Sequence, residues 1–173
     1  MLNHQIVLVL ENLGFVLFLL AIIIALSDWL IQKLRRQPTS IYEFFYRWVA
    51  LLPLGLTAIY AFIMHAFFPD YTAALIGWQN SPFQFEVAVA NLGFGMIGIL
   101  SFRASYGFRV ATVMGNTFWL WGDATGHLYQ MMVNNNLTVG NAGSWFWMDI
   151  IIPLVLLVCI LRLNSPSHQG LRS

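Results

Sequence analysis

Charge is what this sequence has least of. Asp, Glu, Lys and Arg supply 9% of its 173 residues, against roughly 25% in soluble domains. A chain this poor in charge cannot present polar groups to water on all sides. Its balance is only +1, and the basic face that nucleic acid requires is missing. Cysteine is nearly absent too. Cys159 stands alone in an apolar run, which excludes an internal disulfide and any CxxC zinc or redox motif. The opening MLNHQIVLVLENLGF lacks the basic n-region and cleavage site of a secretory signal, so the first apolar stretch is expected to be retained.

What fills the chain instead is apolar: 59% of the residues, with a mean hydropathy of +0.72. A hydrocarbon core of about 30 Å needs roughly 20 apolar residues per helix. Five stretches reach that length, about 5–27, 47–68, 83–102, 108–133 and 144–163. The expected fold is therefore all-α, an integral membrane bundle of five transmembrane helices forming one domain over residues 1–173. Pro53 is expected to kink the second span, a break that membrane helices tolerate. Arg103 to Gly107 leave room only for a tight hairpin between spans three and four. Asp28 to Tyr46 interleave Trp29, Leu30 and Leu34 with Lys33, Arg35 and Arg36, which suits either a short helix lying in the headgroup region or a solvated loop. Pro69–Pro82 and Asn134–Gly143 read as loops from their Pro, Asn and Gly content. Trp78, Trp145 and Trp147 suit an interfacial aromatic belt.

Orientation follows from counting. With five spans, Lys33, Arg35, Arg36, Arg47, Arg103, Arg109, Arg162 and Arg172 all fall on one side. The positive-inside rule makes that side cytoplasmic, with the N-terminus outside and the C-terminus inside. A weak internal repeat accompanies this pattern. Asn12-Leu13-Gly14-Phe15 recurs as Asn91-Leu92-Gly93-Phe94, and Arg47 and Arg109 are each followed eighteen residues later by His65 and His127. Eighteen residues make five turns and about 27 Å of helix. A duplicated two-helix unit, as in some transporters, would give this; so would coincidence in an apolar alphabet.

The informative polar residues lie in the outer half. Glu11, Glu86, Asn91, Asp123, His127 and Gln130 interrupt apolar spans, and His65 and Asp149 sit near span ends. An ionised carboxylate at the bilayer centre costs about 2.5–3.5 kcal/mol even on lenient scales, so Glu11, Glu86 and Asp123 are expected to face a shared pocket. On span four, Asp123, His127 and Gln130 share a face with Asn116. Glu86, Asp123, His127 and His65 are the candidate ligands of a divalent transition metal, in the manner of carboxylate–histidine sites inside bundles. His65 and His127 facing one another would alternatively suit a haem. The plainer reading is a polar pair that holds helices together, with Gly122 and Gly126 permitting close approach. His65 can simply meet water at its span end. Gly14, Gly93, Gly95 and Gly98 read as packing sites rather than a phosphate cradle, and the methionines as apolar filler. Asn136-Leu137-Thr138 matches a glycosylation sequon, a motif common by chance.

Several short motifs carry a resemblance. They are Ser81 to Gly95 (SPFQFEVAVANLGFG), Phe108 to Val113 (FRVATV), Gly126 to Gln130 (GHLYQ) and Gly140 to Gly143 (GNAG), followed by Asp149 and Pro153. In this order they resemble a family of small bacterial inner-membrane proteins described as a domain of unknown function. The resemblance covers about the last two thirds of the chain. It implies a helical bundle in a bacterial inner membrane and no particular reaction. It also marks Glu86, Asn91, His127, Gln130, Asn141 and Asp149 as pattern residues, while Glu11 and Asp123 rest on the physical argument alone. Three functions fit these observations: a polar or metal-binding pocket, a small-solute or proton-coupled transporter, and a non-catalytic subunit of a larger membrane complex. The lipid bilayer is the expected partner, with a homo-oligomer or larger complex compatible with it.

Overall fold

The computed structural model describes residues 4–37 and 39–164, so Arg172 lies outside the described residues. Among these residues there are helices and no strands. The first apolar stretch is broken in two, α1 (His4–Glu11) and α2 (Leu13–Leu34). The break falls at Asn12, whose side-chain amide donates back to the Leu8 carbonyl at 2.9 Å. This is the competition with the helical ladder that asparagine offers. Beyond Ser27, where the first span was expected to end, α2 runs on to Leu34. No Gly or Pro interrupts that stretch, so Trp29 and Lys33 stack one turn apart on α2, 4.8 Å from ammonium to ring. Asp28 to Leu34 thus form neither a separate headgroup helix nor a loop, but the last turns of α2.

The second long element joins α3 (Ile41–Val49), a π-helical segment at Ala50–Leu56 and α4 (Thr57–Phe67). Pro53 lies inside the π segment. Proline has no N–H and its ring clashes with the carbonyl four residues back, so the wider turn accommodates it without ending the helix. Two expected loops contain helix. Pro69 opens α5 (Pro69–Ile76) from its first turn, and Gly77, at φ 76°, closes it. Proline at the start and glycine just past the end is how helices are bounded. The other loop holds one turn, α8 (Val139–Ala142). The remaining long helices are α6 (Phe83–Leu100), α7 (Tyr106–Asn134) and α9 (Ser144–Leu163). A 3₁₀ turn at Ser101–Arg103 makes the short connection between α6 and α7, and Ser105 caps α7 by accepting from the Phe108 N–H.

Four helical stretches are long and apolar enough to cross a membrane: Leu13–Leu34, Ile41–Phe67, Phe83–Arg103 and Val139–Leu163. The 29-residue α7 is long enough but more polar. α6 packs chiefly against α4, α7 chiefly against α9, and α2 against α3. The contact of α6 with the π segment and α4 depends on missing side chains. A Cβ on Gly55 would stand 2.7 Å from Ile99, and one on Gly95 would stand 3.0 Å from Ala58. Gly14 likewise faces Thr57 and Trp145, whereas Gly93 has nothing within 4 Å and is not a packing site.

The two ends of the bundle differ. At one end Trp48 donates to Asp28 at 2.8 Å, Arg109 reaches Glu43, and the Tyr106 hydroxyl donates to the Ile160 carbonyl at 3.2 Å. These bonds gather the C-terminal ends of α2 and α9 with the N-terminal ends of α3 and α7. Lys33, Arg35, Arg36, Arg47, Arg103, Arg109 and Arg162, all the described Lys and Arg residues, belong to this end.

Candidate functional site

Away from that basic end, the helices enclose a cavity of about 340 Å³. Each wall is a helical stripe. α7 contributes Asn116, Trp119, Asp123 and His127, spaced by three, four and four residues. α9 contributes Trp145, Met148, Asp149 and Ile152, and α4 contributes Thr57, Tyr60, Met64 and His65. These spacings recur on one helical face. α6 adds Gln84, Val87, Asn91 and Phe94, and Pro53 and Leu54 of the π segment also line the space. The sparse contact between α6 and α7 leaves this room between them.

Asn91, Asp123, His127 and His65 thus share one cavity. Glu11, Glu86 and Gln130 do not line it. Glu86 is exposed, next in sequence to the cavity-lining Val87 but on another side of α6. Glu11 engages the bundle through its backbone, since its carbonyl accepts from Trp145 Nε1 at 2.6 Å. Gln130 accepts from the Asn134 amide near the end of α7. The expectation that three carboxylates converge is therefore corrected. Asp123 lines the cavity with Asp149, and Glu11 and Glu86 stay outside. Among the described residues, no three of His, Cys, Asp and Glu are grouped so as to hold a metal ion; Glu86, Asp123, His127 and His65 do not assemble as a ligand set.

Both histidines are oriented by a side-chain amide. Asn141, fully buried, donates through Nδ2 to the carbonyls of Asn136 (2.9 Å) and His127 (3.2 Å). Its Oδ1 must then accept, and it lies 3.0 Å from Trp78 Nε1 and 2.9 Å from His127 Nδ1. This network puts the His127 proton on Nδ1 and leaves the Nε2 lone pair directed elsewhere, 3.9 Å from Asp149 Oδ2. His65 repeats the arrangement. Its Nδ1 lies 2.6 Å from Gln84 Oε1, and Gln84 Nε2 donates to the Pro69 carbonyl at 3.4 Å. A histidine ring held through one nitrogen offers the other for contact with a bound molecule.

Several cavity groups have no such anchor. Among the described residues Asp123 has no hydrogen-bond or ion-pair partner. Thr57 is 8% exposed and its hydroxyl has no partner, and neither does Trp119 Nε1. Thr72, Thr117 and Thr125 each donate to the carbonyl four residues back. Thr57 makes no such bond to the carbonyl four residues back, that of Pro53 in the π turn. Sequence reasoning did not find Thr57, Trp119, Tyr60 or Trp145. Trp145 reads as an interfacial belt residue by position, but it stacks on Tyr60 at 6.2 Å inside the bundle. The sequon is accounted for structurally: Asn136 donates to the Ile76 carbonyl and accepts from Thr138, tying the loop to α5.

The repeat has a geometric counterpart. Arg47 and Arg109 both meet Glu43, at 2.6 Å each, and His65 and His127 both line the cavity. Glu43, which nothing in the spacing singled out, is bound by both Nη atoms of Arg109, and the Arg109 guanidinium lies 4.7 Å over the Tyr46 ring.

Four helices fit to cross a bilayer, all bonded into one bundle around an internal cavity, make the arrangement of a multi-pass helical membrane protein. The chain belongs to the family of unknown function DUF6790, whose model matches residues 11–169. No curated protein and no solved structure matches it.

Proposed function

We propose that the protein is a five-span membrane protein whose outer half holds a binding pocket for a small solute. The observation that carries this reading is the cavity itself, with unpartnered polar groups facing it among aromatic walls. Its volume lies within the range of about 300–1,000 Å³ typical of small-molecule sites. Buried polar groups without partners are uncommon, and a bound ligand is one of their explanations.

The fifth span in this reading is α7. Its polar residues Asn116, Asp123 and His127 line the cavity, while Phe118, Leu128 and Met132 are exposed on its outer side, where lipid would meet them. All described Lys and Arg residues gather at the opposite end of the bundle, which the positive-inside rule assigns to the cytoplasm. The cavity would then open toward the periplasm of a bacterial cell.

Thermal unfolding of the detergent-purified protein against a panel of small cationic, neutral and anionic solutes tests the pocket. A ligand at a hundredfold its Kd stabilises by about 2.7 kcal/mol. At least one solute is expected to stabilise the wild type and to lose that effect when Ala61→Trp fills the cavity. A panel that leaves the wild type unmoved, or shifts both proteins equally, overturns the reading.

Transport of the solute is a second reading, favoured by the floor of the cavity. There the π turn with Pro53 interrupts the helix, and below it the Glu43–Arg109 pair closes the basic end. π segments often mark functional sites, and a two-state element is what alternating access requires. Proteoliposomes that bind the solute and accumulate it, with slower flux for Pro53→Ala, support transport. Binding without flux excludes it.

A further inference from the structure

We infer that the solute this pocket takes is a small organic cation, an amine or quaternary ammonium compound, held between Asp123 and the aromatic walls. The inference rests on the pocket reading above and adds the chemical class of the ligand.

Charge is the first argument. Two carboxylates, Asp123 and Asp149, line the cavity, and none of the described lining residues is Lys or Arg. Every described Lys and Arg is at the other end of the bundle, and the cavity's only nitrogen bases among the described lining residues are His65 and His127. An anion entering this space would meet two acids and no Lys or Arg. A cation would find Asp123 free of any hydrogen bond or ion pair among the described residues. Asp149 differs in lying 3.9 Å from His127 Nε2.

The walls are the second argument. Trp119 stands one turn from Asp123 on α7 and stacks on Phe94 with ring centres 5.4 Å apart. Tyr60 and Trp145 form a second stacked pair, nearly parallel at 8°. All four rings line the cavity. Aromatic faces carry negative potential, and aromatic enclosures around a carboxylate are how quaternary ammonium groups are recognised.

The third argument is the pair of unused polar atoms. The Thr57 hydroxyl belongs to a side chain more than nine-tenths buried and lines the cavity without a partner, as does Trp119 Nε1. Trp119 N–H can only donate. The ligand is thus expected to carry an acceptor, a hydroxyl or ether oxygen, a short distance from its cationic nitrogen.

Titration of the purified protein by intrinsic tryptophan fluorescence and calorimetry, with three probes of one shape class, tests the assignment. They are benzyltrimethylammonium, its uncharged isostere neopentylbenzene, and phenylacetate. The cation is expected to bind at least about tenfold tighter than the isostere, a margin of 1.4 kcal/mol, with phenylacetate weakest. Asp123→Asn is expected to erase the preference while retaining the isostere, whose binding shows that the variant is folded. Asp123→Glu is expected to restore part of the preference. Trp119→Leu should weaken the cation more than the isostere. If the isostere or phenylacetate binds as well as the cation, or Asp123→Asn leaves the preference intact, the cation assignment fails while the pocket stands. If no probe binds and the tryptophan emission does not move, the pocket reading fails with it.

Discussion

The two ends of this bundle handle buried charge in opposite ways. At the basic end Glu43 meets Arg47 and Arg109, and Arg109 is 5% exposed. Charges of both signs meet one another there, and the Arg109 guanidinium lies 4.7 Å over the buried Tyr46 ring. At the other end Asp123 and Asp149 face a cavity with no Lys or Arg among the described residues that line it. Removing one partner of a buried ion pair leaves an uncompensated charge. An acid that has no partner loses no contact when it is neutralised. The comparison separates a structural lock from a site that is chemically incomplete.

The largest effect should come from breaking the lock. Glu43→Ala strands Arg109 and should cost about 3–5 kcal/mol, measured as a fall in unfolding free energy in detergent. A loss below about 1 kcal/mol would mean the pair is solvated and the contrast between the ends is false. Next is the anchor of His127. Asn141→Ala removes the acceptor for His127 Nδ1 and Trp78 Nε1 and the donor to two carbonyls, which should cost about 1–3 kcal/mol. Nitrogen NMR of the imidazole sharpens this. The wild type should show the proton on Nδ1, and the variant should lose that tautomeric preference.

Asp123→Asn should go the other way. It removes a charge that has no partner and sits near another acid, so stability should hold or rise by about 0.5–2 kcal/mol, the common pattern when a functional group is neutralised. A fall of the size expected for Glu43 would show that Asp123 has a structural partner. Smallest of all, the exposed Glu86→Ala should stay within about 0.5 kcal/mol of the wild type in the same assay.

Sequence pattern made the helices legible because spanning length and apolar content leave few alternatives. It also grouped Asn116, Asp123 and His127, since they lie on one helix at fixed spacing. It failed where partners come from elsewhere in the chain. Glu11 and Glu86 look equivalent to Asp123 when depth is counted along a span, but depth says nothing about rotation about the helix axis. Glu86 turns outward while Val87, its neighbour, lines the cavity. Asp149 looked like a span-end residue until α9 was seen to present Trp145, Met148, Asp149 and Ile152 along one stripe. Thr57 was invisible because a hydroxyl's lack of a partner, just past the π turn that holds Pro53, cannot be read from residue type or spacing. Pro69 read as a loop signal, although at the first turn proline starts a helix as readily as it ends one.

The central claim is that the unpaired-acid cavity opens on the side opposite to the arginines. Cys159 is the single cysteine and is buried, so an introduced thiol can report alone. Ala61→Cys lines the cavity, and Ser105→Cys is exposed at the basic end. With a membrane-impermeant thiol reagent added to intact spheroplasts, Ala61→Cys should label at once and Ser105→Cys only after permeabilisation. Labelling of Ser105→Cys from outside, or of Ala61→Cys only from the cytoplasmic side, would contradict the account.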